Sequence, residues 1–185
     1  MLDRLSGYSL TERALMAAFA ASAALLAGAH LFEKVGGFVP CILCLDQREA
    51  HWTALAVAAA GLLAARIFKS RLGAAAAVGA AALVYAVSAG LAFYHTGVEY
   101  GFWPGPAICS GGADVGGIDD ILGSLDKKTD APSCEDAQWR LLGVSMAGYN
   151  LLASAGLFAL TLFAALTETR RVKRIRQGAP ENRAG

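Results

Sequence analysis

Four long stretches of this chain carry no charged side chain, and this pattern limits the fold more than any other feature of the sequence. With histidine counted as neutral, the stretches cover residues 14–32, 50–65, 72–98 and 141–167. A helix that crosses a membrane needs about 20 mostly apolar residues, and three of the stretches approach or exceed that length. The second stretch is shorter, but it suffices if its helix begins at Cys41 and the charges before residue 50 lie at the lipid headgroups.

The predicted fold is therefore an all-α membrane protein, a bundle of four transmembrane helices in a single domain that comprises residues 1–185. A soluble helical bundle would need polar faces at helical spacing, and segments such as AAFAASAALLAGAHLF have none. Residues 1–29 share features with a signal peptide, but their apolar run is longer than such peptides use, so an uncleaved first helix is expected. The expected spans are 14–32, 41–68, 72–96 and 141–167, with outer loops 33–40 and 97–140 and a basic tail, 168–185.

Lysine and arginine are distributed unevenly between the two sides of this bundle. One side holds Arg4, Arg13, Arg66, Lys69, Arg71, Arg170, Arg171, Lys173, Arg174, Arg176 and Arg183, and the other holds Lys34, Arg48, Lys127, Lys128 and Arg140. Because cytoplasmic loops carry the excess of these residues, both termini are predicted to be cytoplasmic. The net charge is only +1, which gives no general attraction to nucleic acid, and no nucleic-acid partner is expected.

All four cysteines fall on the predicted outer side. Cys41 and Cys44 form a C-x-x-C motif after Pro40, and Cys109 and Cys134 lie in the long outer loop. Four cysteines allow three pairings; the natural one joins each of these two pairs, and a Cys41–Cys134 cross-link stays open as an intermediate. Thiols outside the cytosol meet an oxidising environment, so disulfides are expected. Zinc is the alternative, but zinc ribbons pair two closely spaced motifs, which the second pair does not form, so no metal is predicted.

The C-x-x-C motif is predicted to open the second helix. Pro40 lacks an N–H group and suits the start of a helix, and the positive end of the helix dipole stabilises a thiolate. Arg48 lies four residues after Cys44 on the same helical face, where its charge would favour the Cys44 thiolate and negative charge on a bound oxidant. The alternative is a structural disulfide, with an arginine that extends to the headgroups.

Several short motifs, taken in order, resemble the bacterial disulfide-bond formation protein B (DsbB) family over most of the chain. They are Pro40-Cys41-Ile42-Leu43-Cys44 with Gln47-Arg48, Tyr94-His95-Thr96 at the outer end of the third helix, Cys109, and Cys134 followed by Gln138-Trp139, Leu142-Gly143 and Met146. The resemblance implies a protein-disulfide oxidoreductase of the bacterial inner membrane, with several spans and its active site on the periplasmic face.

The resemblance also implies a route for electrons. A periplasmic thioredoxin-like partner of the DsbA type would attack Cys109 in a Cys109–Cys134 disulfide, and Cys134 would then attack Cys41 in a Cys41–Cys44 disulfide. Cys44 would be left as a thiolate beside a membrane quinone, either ubiquinone or menaquinone, with Arg48 stabilising the charge. Closure of the Cys41–Cys44 bond would leave quinol, so all four cysteines are expected to be catalytic.

Two more polar residues lie in or beside the predicted spans. His95 is expected either to bind a quinone oxygen and carry its proton, since imidazole ordinarily titrates near neutral pH, or to be an interfacial histidine without a catalytic role. Asn150 is expected to bond to a neighbouring helix, as intramembrane amides usually do, and is given no role in the site.

Other functions fit part of the pattern. A tetraspan binding or scaffold protein could carry the same cysteines in two static disulfides. A quinone oxidoreductase of the vitamin K epoxide reductase type shares four helices and a C-x-x-C motif, but the outer loop and the start of the fourth helix fit it less well. A reductase that sends electrons outward would need an electron source on the inner side, where no cysteine is predicted.

Overall fold

A computed structural model of the protein describes residues 9–106, 109 and 132–176. Within these ranges the chain forms four long helices and one short antiparallel hairpin. The elements are α1 (Leu10–Lys34), α2 (Ile42–Arg66), α3 (Arg71–Glu99), β1 (Arg140–Leu141), β2 (Val144–Ser145) and α4 (Met146–Arg176). Residues 110–131 of the predicted outer loop and 177–185 of the predicted tail lie outside the described residues.

The residue just before each of the first three helices caps its free backbone N–H groups. Ser9 Oγ accepts a hydrogen bond from the N–H of Glu12 at 3.3 Å, and the Glu12 carboxylate accepts one from the N–H of Ser9 at 2.8 Å, which is a reciprocal capping box. Ser70 Oγ accepts from the N–H of Gly73 at 3.1 Å. At α2 the capping atom is the sulfur of Cys41, so the predicted helix start after Pro40 is confirmed and a redox-capable sulfur lies at its first turn.

The fourth helix begins at Met146 and not at the predicted residue 141. Arg140 pairs with Ser145 and Leu141 with Val144 across a hairpin. The two residues between them, Leu142 and Gly143, have φ angles of 51° and 81°, as a two-residue hairpin turn of type I′ requires. A left-handed backbone cannot continue a right-handed helix, which explains why the absence of charge from residue 141 onwards misplaced the helix start.

Three of the described helices are long and apolar enough to cross a membrane: α1, α3 and α4. Helix α2 has 25 residues, but its first turns carry Asp46, Gln47, Arg48, Glu49 and His51. The described residues thus form a helical protein of the membrane-spanning type. A fourth span, with both termini cytoplasmic, stays a prediction.

Small side chains fill the contacts between helices, and large apolar ones point outward. The main core contains Ala18, Ala58 and Ala81, each fully buried, around the ring of Tyr85. By contrast Leu83 is 72% exposed and Phe163 is 63% exposed. This arrangement suits a lipid environment, in which helices associate through small residues that let backbones approach closely.

Candidate redox site

The described cysteines form one disulfide and one pair of free thiols. Cys109 and Cys134 are joined, with their Cα atoms 5.3 Å apart. Cys41 and Cys44 are not bonded to each other, but their sulfur atoms lie 3.1 Å apart. Of the pairings open from the sequence, the Cys109–Cys134 bond is therefore present, and the second pair is adjacent and reduced.

Both pairs belong to one buried cluster at the end of α2 where Cys41 lies. Cys41, Cys109 and Cys134 are 4%, 7% and 1% exposed and pack together with Leu43 and Val98, and Cys44 lies against this group. Residues far apart in the sequence are thus brought together. Gln138, which follows Cys134, donates to the backbone oxygen of Val39 at 2.7 Å just ahead of α2, and Ser145 of the hairpin bonds to Glu99 at the end of α3. The clustering places the disulfide close to the free pair, as an exchange of bonds between them requires.

Of the two free thiols, Cys41 is the one whose surroundings favour the thiolate. It lies just ahead of α2, where its sulfur accepts a hydrogen bond from the N–H of Cys44 at 3.4 Å and lies 3.6 Å from His95 Nε2. The hydrogen bond between the Cys41 and Cys44 side chains outweighs burial and is supported by His95, so that the pKa of Cys41 lies well below that of an ordinary thiol. At neutral pH this sulfur is therefore both a nucleophile and a good leaving group.

His95 occupies the centre of the site and is almost fully buried. Its Nε2 atom lies 3.8 Å from Glu99 Oε1 as well as near Cys41, and its Nδ1 atom lies 2.8 Å from Gln47 Nε2. Glu99 accepts a short hydrogen bond from the hydroxyl of Ser145. The structure therefore places the predicted His95 in contact with the redox pair.

Arg48 also borders the site, but its guanidinium bonds to α1. It forms a close ion pair with Glu33 and donates to the backbone oxygen of Ala29 at 3.2 Å. The hypothesis that Arg48 stabilises a Cys44 thiolate stays a prediction, and the structure adds Glu33 as a counter-charge that the sequence did not reveal.

A cavity of about 120 Å³ opens beside the free thiols. A cavity of about 150 Å³ in another protein holds one benzene ring, so this one has the scale of a single ring and not of a flavin or dinucleotide. Its walls combine apolar side chains with the charged and polar groups already described. They include Leu25, Leu26, Phe32, Phe38, Trp139 and Met146, together with Cys41, Cys44, Arg48, His95, Glu33 and Glu99.

Three of these side chains are also arranged as metal ligands could be. One ligand atom each from Cys41, Cys44 and His95 lies within 4.8 Å of the others. Two thiolates and an imidazole suit zinc. The expectation that the protein uses no metal stays a prediction.

Sequence reasoning missed the polar partners of the site. Gln47, Glu99 and Asn150 line the cavity, and Asn150 donates a 2.6 Å hydrogen bond to Gln47 Oε1. The expected bond from Asn150 to a neighbouring helix is confirmed, and the residue also lines the cavity, which was not predicted. The available signal was an isolated amide within an apolar span, a placement that is costly unless the group is bonded.

A family model decides the relationship that these features suggest. The model for "Disulfide bond formation protein DsbB" matches residues 11–164, which include all four cysteines and all the cavity residues. The chain belongs to the DsbB family. No curated protein and no solved structure matches it. Membership in the DsbB family makes the chain a disulfide-bond formation oxidoreductase of helical membrane type, and both cysteine pairs fall within the matched region.

Proposed function

We propose that the protein oxidises the dithiol of a periplasmic thioredoxin-like partner of the DsbA type and passes the electrons to a membrane quinone. The observation that carries the proposal is the packing of an oxidised pair, Cys109–Cys134, against a reduced pair, Cys41 and Cys44, beside a ring-sized cavity. A substrate outside the membrane and an acceptor within it can then react at different pairs.

The outer step is a thiol–disulfide exchange. A thiolate of the partner attacks Cys109, a bond forms between the two proteins, and Cys134 leaves as a thiolate. The partner's second thiolate then attacks the partner sulfur that is bonded to Cys109. The two partner cysteines form a disulfide, and Cys109 is released. Two electrons and two protons have moved to Cys109 and Cys134. Because both sulfurs are buried, the partner can reach them only after local opening around the bond.

The inner step moves the same two electrons to the C-x-x-C pair. In an enzyme whose Cys41 and Cys44 are bonded, the Cys134 thiolate attacks Cys41 and Cys44 leaves. Cys109 then attacks Cys134, the Cys109–Cys134 bond forms again, and Cys41 leaves as a thiolate. Exchange is faster when the leaving sulfur has a low pKa, and the contacts that lower the pKa of Cys41 favour its departure in the second exchange. The products, a Cys109–Cys134 bond and two free thiols, have the same bonding as the described cysteines.

The last step returns Cys41 and Cys44 to a disulfide. The Cys41 thiolate and the Cys44 thiol lose two electrons and one proton, and an acceptor in the cavity takes these up together with one further proton from its surroundings. A quinone headgroup, which is one ring in ubiquinone and two fused rings in menaquinone, arrives from the bilayer and suits a cavity with apolar walls. Arg48 and His95 would hold its oxygens, and either ubiquinone or menaquinone supplies the oxidising power. The enzyme would then lie in the bacterial inner membrane, with these residues on the periplasmic face.

A scaffold with two static disulfides is not favoured, because Cys41 and Cys44 are free thiols 3.1 Å apart. A vitamin K epoxide reductase-like activity finds no specific support in the described residues.

The decisive experiment follows quinone absorbance when purified protein is mixed with a reduced thioredoxin-fold dithiol and ubiquinone or menaquinone. Wild type should reduce the quinone, and Cys44→Ala should not. Cys44→Ala should still oxidise the partner once per molecule through Cys109–Cys134, which thiol trapping detects, so loss of folding is distinguished from loss of the inner step. Unchanged turnover in Cys44→Ala would contradict the proposal, and a Cys109–Cys134 bond that stays oxidised with excess reduced partner would indicate a static disulfide.

A further inference from the structure

A chain of buried hydrogen bonds links the redox pair to α4. His95 Nδ1 lies 2.8 Å from Gln47 Nε2, and Gln47 Nε2 also donates to the backbone oxygen of Leu43 at 3.1 Å. On the other side of the amide, Asn150 Nδ2 donates to Gln47 Oε1 at 2.6 Å, and Asn150 Oδ1 accepts from His51 Nε2 at 2.7 Å. The chain thus runs from α3 through α2 to α4 and back to α2.

The Leu43 oxygen fixes the orientation of the Gln47 amide. A backbone carbonyl can only accept a hydrogen bond, so the end of the amide that faces Leu43 must be the nitrogen. The same nitrogen faces His95 Nδ1. Asn150 reinforces this orientation, because its NH₂ group needs an acceptor and finds the oxygen end of Gln47.

The orientation of Gln47 determines where His95 carries its proton. An Nδ1 atom that accepts a hydrogen bond has no proton, so the neutral ring must carry its proton on Nε2. That nitrogen lies 3.6 Å from the sulfur of Cys41. The ring therefore directs a donor at the sulfur.

Burial restricts the Gln47 amide and the His95 ring to this orientation. His95 is 2% exposed, Gln47 is 6% exposed and His51 is 3% exposed, so water cannot readily replace a lost partner. A buried polar group without a partner is costly, and a fully bonded amide chain has a single preferred orientation.

We propose that Asn150 is a positioning residue which, through Gln47, holds His95 in the tautomer that donates from Nε2 to Cys41. The inference deepens the proposed function, since a stabilised Cys41 thiolate assists the exchange with Cys134. It concerns the resting reduced protein, however, and can be measured without a quinone or a partner.

The thiolate has other ionisable neighbours, and these must stay constant in a test. Cys44 and Arg48 are on α2, Glu99 is on α3, Glu33 is on α1, and Asp136 lies ahead of the hairpin. Substitutions at Asn150 and Gln47 leave all of these groups in place.

The first experiment reads the tautomer directly by ¹⁵N NMR of histidine-labelled reduced protein. The chain has three histidines, and His95→Ala assigns the His95 signals. Wild type should show His95 with Nδ1 unprotonated and Nε2 protonated. Asn150→Leu should give a mixture of tautomers. Gln47→Glu should reverse the preference, because a carboxylate accepts and cannot donate to Nδ1. A protonated Nδ1 in the wild type at neutral pH would overturn the proposal.

The second experiment measures the consequence at sulfur. Thiolate absorbance near 240 nm is titrated in the reduced C-x-x-C pair. Thr161→Val is the matched control, since buried Thr161 on α4 bonds, among the described residues, only to carbonyls of its own helix. Asn150→Leu should raise the titration midpoint of Cys41 by about one pH unit, a tenfold change in its acidity, and Thr161→Val should not. Gln47→Met provides the same readout if Asn150→Leu does not fold, because it removes the donor to Nδ1 without adding a charge. An unchanged midpoint in a folded variant would overturn the proposal, and because no quinone is used, failure here would leave the proposed electron route intact.

Discussion

The guanidinium of Arg48 is paired with the carboxylate of Glu33, so that a cation on α2 is balanced by an anion on α1 within the wall of the cavity. A second contact, to the backbone oxygen of Ala29, holds the guanidinium toward α1. The positive charge that is available to a bound acceptor is therefore set by both residues.

Removal of the Glu33 charge should strengthen the effect of Arg48. In Glu33→Gln the arginine keeps a hydrogen-bond partner of similar size but loses its counter-charge, which frees it to attract negative charge on a bound quinone. The KM for quinone should fall by about two- to fivefold, the scale of a partly exposed ion pair, as measured by steady-state quinone reduction.

Glu49→Gln is the matched control for this variant. Glu49 adjoins Arg48 in the sequence, but its side chain is exposed and is not part of the cavity wall. Its KM should equal that of the wild type. A higher KM in Glu33→Gln would show instead that Glu33 orients Arg48 productively.

Cys41 should titrate in the acid range. Because the Cys44 side chain and His95 lower the pKa of Cys41 in the folded, reduced protein, one thiolate per molecule should be present at pH 7, and absorbance near 240 nm should fall only at pH values well below the ordinary range of a thiol. The unfolded thiol has a pKa near 8.5, so the thiolate is favoured by folding. The stabilisation is fully present above the pKa of the unfolded thiol and is lost as the pH falls through the lowered pKa of the folded protein. Cys41→Ser should remove this titration, and a midpoint above pH 8 would contradict the assignment.

The lowered pKa of Cys41 should also change how the reduction potential of the Cys41–Cys44 pair depends on pH. Between the two thiol pKa values, reduction takes up two electrons and one proton. The potential should then change by about 30 mV per pH unit, and not by the 59 mV of a two-proton couple. Equilibration of the pair with a reference dithiol between pH 5 and 8 measures the slope. A slope near 59 mV would show that both thiols stay protonated.

The spans and the position of the C-x-x-C motif could be predicted because they depend on properties of contiguous residues. Loss of charge over about 20 residues is a direct requirement of the bilayer interior, and α1 and α3 extend beyond the predicted spans by only a few residues. The start of α2 followed from Pro40. The start of α4 did not, because the left-handed backbone at Leu142 and Gly143 overrides an apolar composition that is compatible with a helix.

The partners within the site could not be predicted in the same way. Glu33 meets Arg48, and Gln47 meets both His95 and Asn150, only because of how far each helix is rotated and shifted against its neighbours. That register is decided by small residues at the contacts, where many arrangements have similar local patterns. The sequence predicts which side chains carry the chemistry, and the packing determines which of them restrain one another.

The orientation of the bundle should be visible by labelling. Val35 follows α1 and is 78% exposed, and Phe68 follows α2 and is 76% exposed; the arginine and lysine distribution places the first outside and the second inside. In intact spheroplasts a membrane-impermeant maleimide should label Val35→Cys, and it should label Phe68→Cys only after the membrane is opened. The unsubstituted protein serves as the background. Labelling of Phe68→Cys alone would place Cys41 and Cys44 on the cytoplasmic side and remove the proposed route for electrons.

The close contact between Gly97 and Trp103 should be the most size-sensitive position near the cysteine cluster. A Cβ atom at Gly97 would lie 1.9 Å from Cζ2 of Trp103, which is far inside contact distance. The indole cannot retreat freely, because its Nε1 donates to the backbone oxygen of Tyr94 at 2.8 Å and its ring packs against Phe93.

Gly97→Ala should therefore destabilise the protein by about 1–3 kcal/mol, the usual cost of overpacking, as measured by thermal unfolding in detergent. Because Trp103 also packs against the cluster of Cys41, Cys109 and Cys134, its displacement should let dithiothreitol reduce the Cys109–Cys134 bond faster. Gly90→Ala is the control on the same helix, since a Cβ there meets nothing within 4 Å and alanine favours a helix over glycine by about 1 kcal/mol. Equal stability and equal reduction rates in the two variants would mean that Trp103 does not restrain the disulfide.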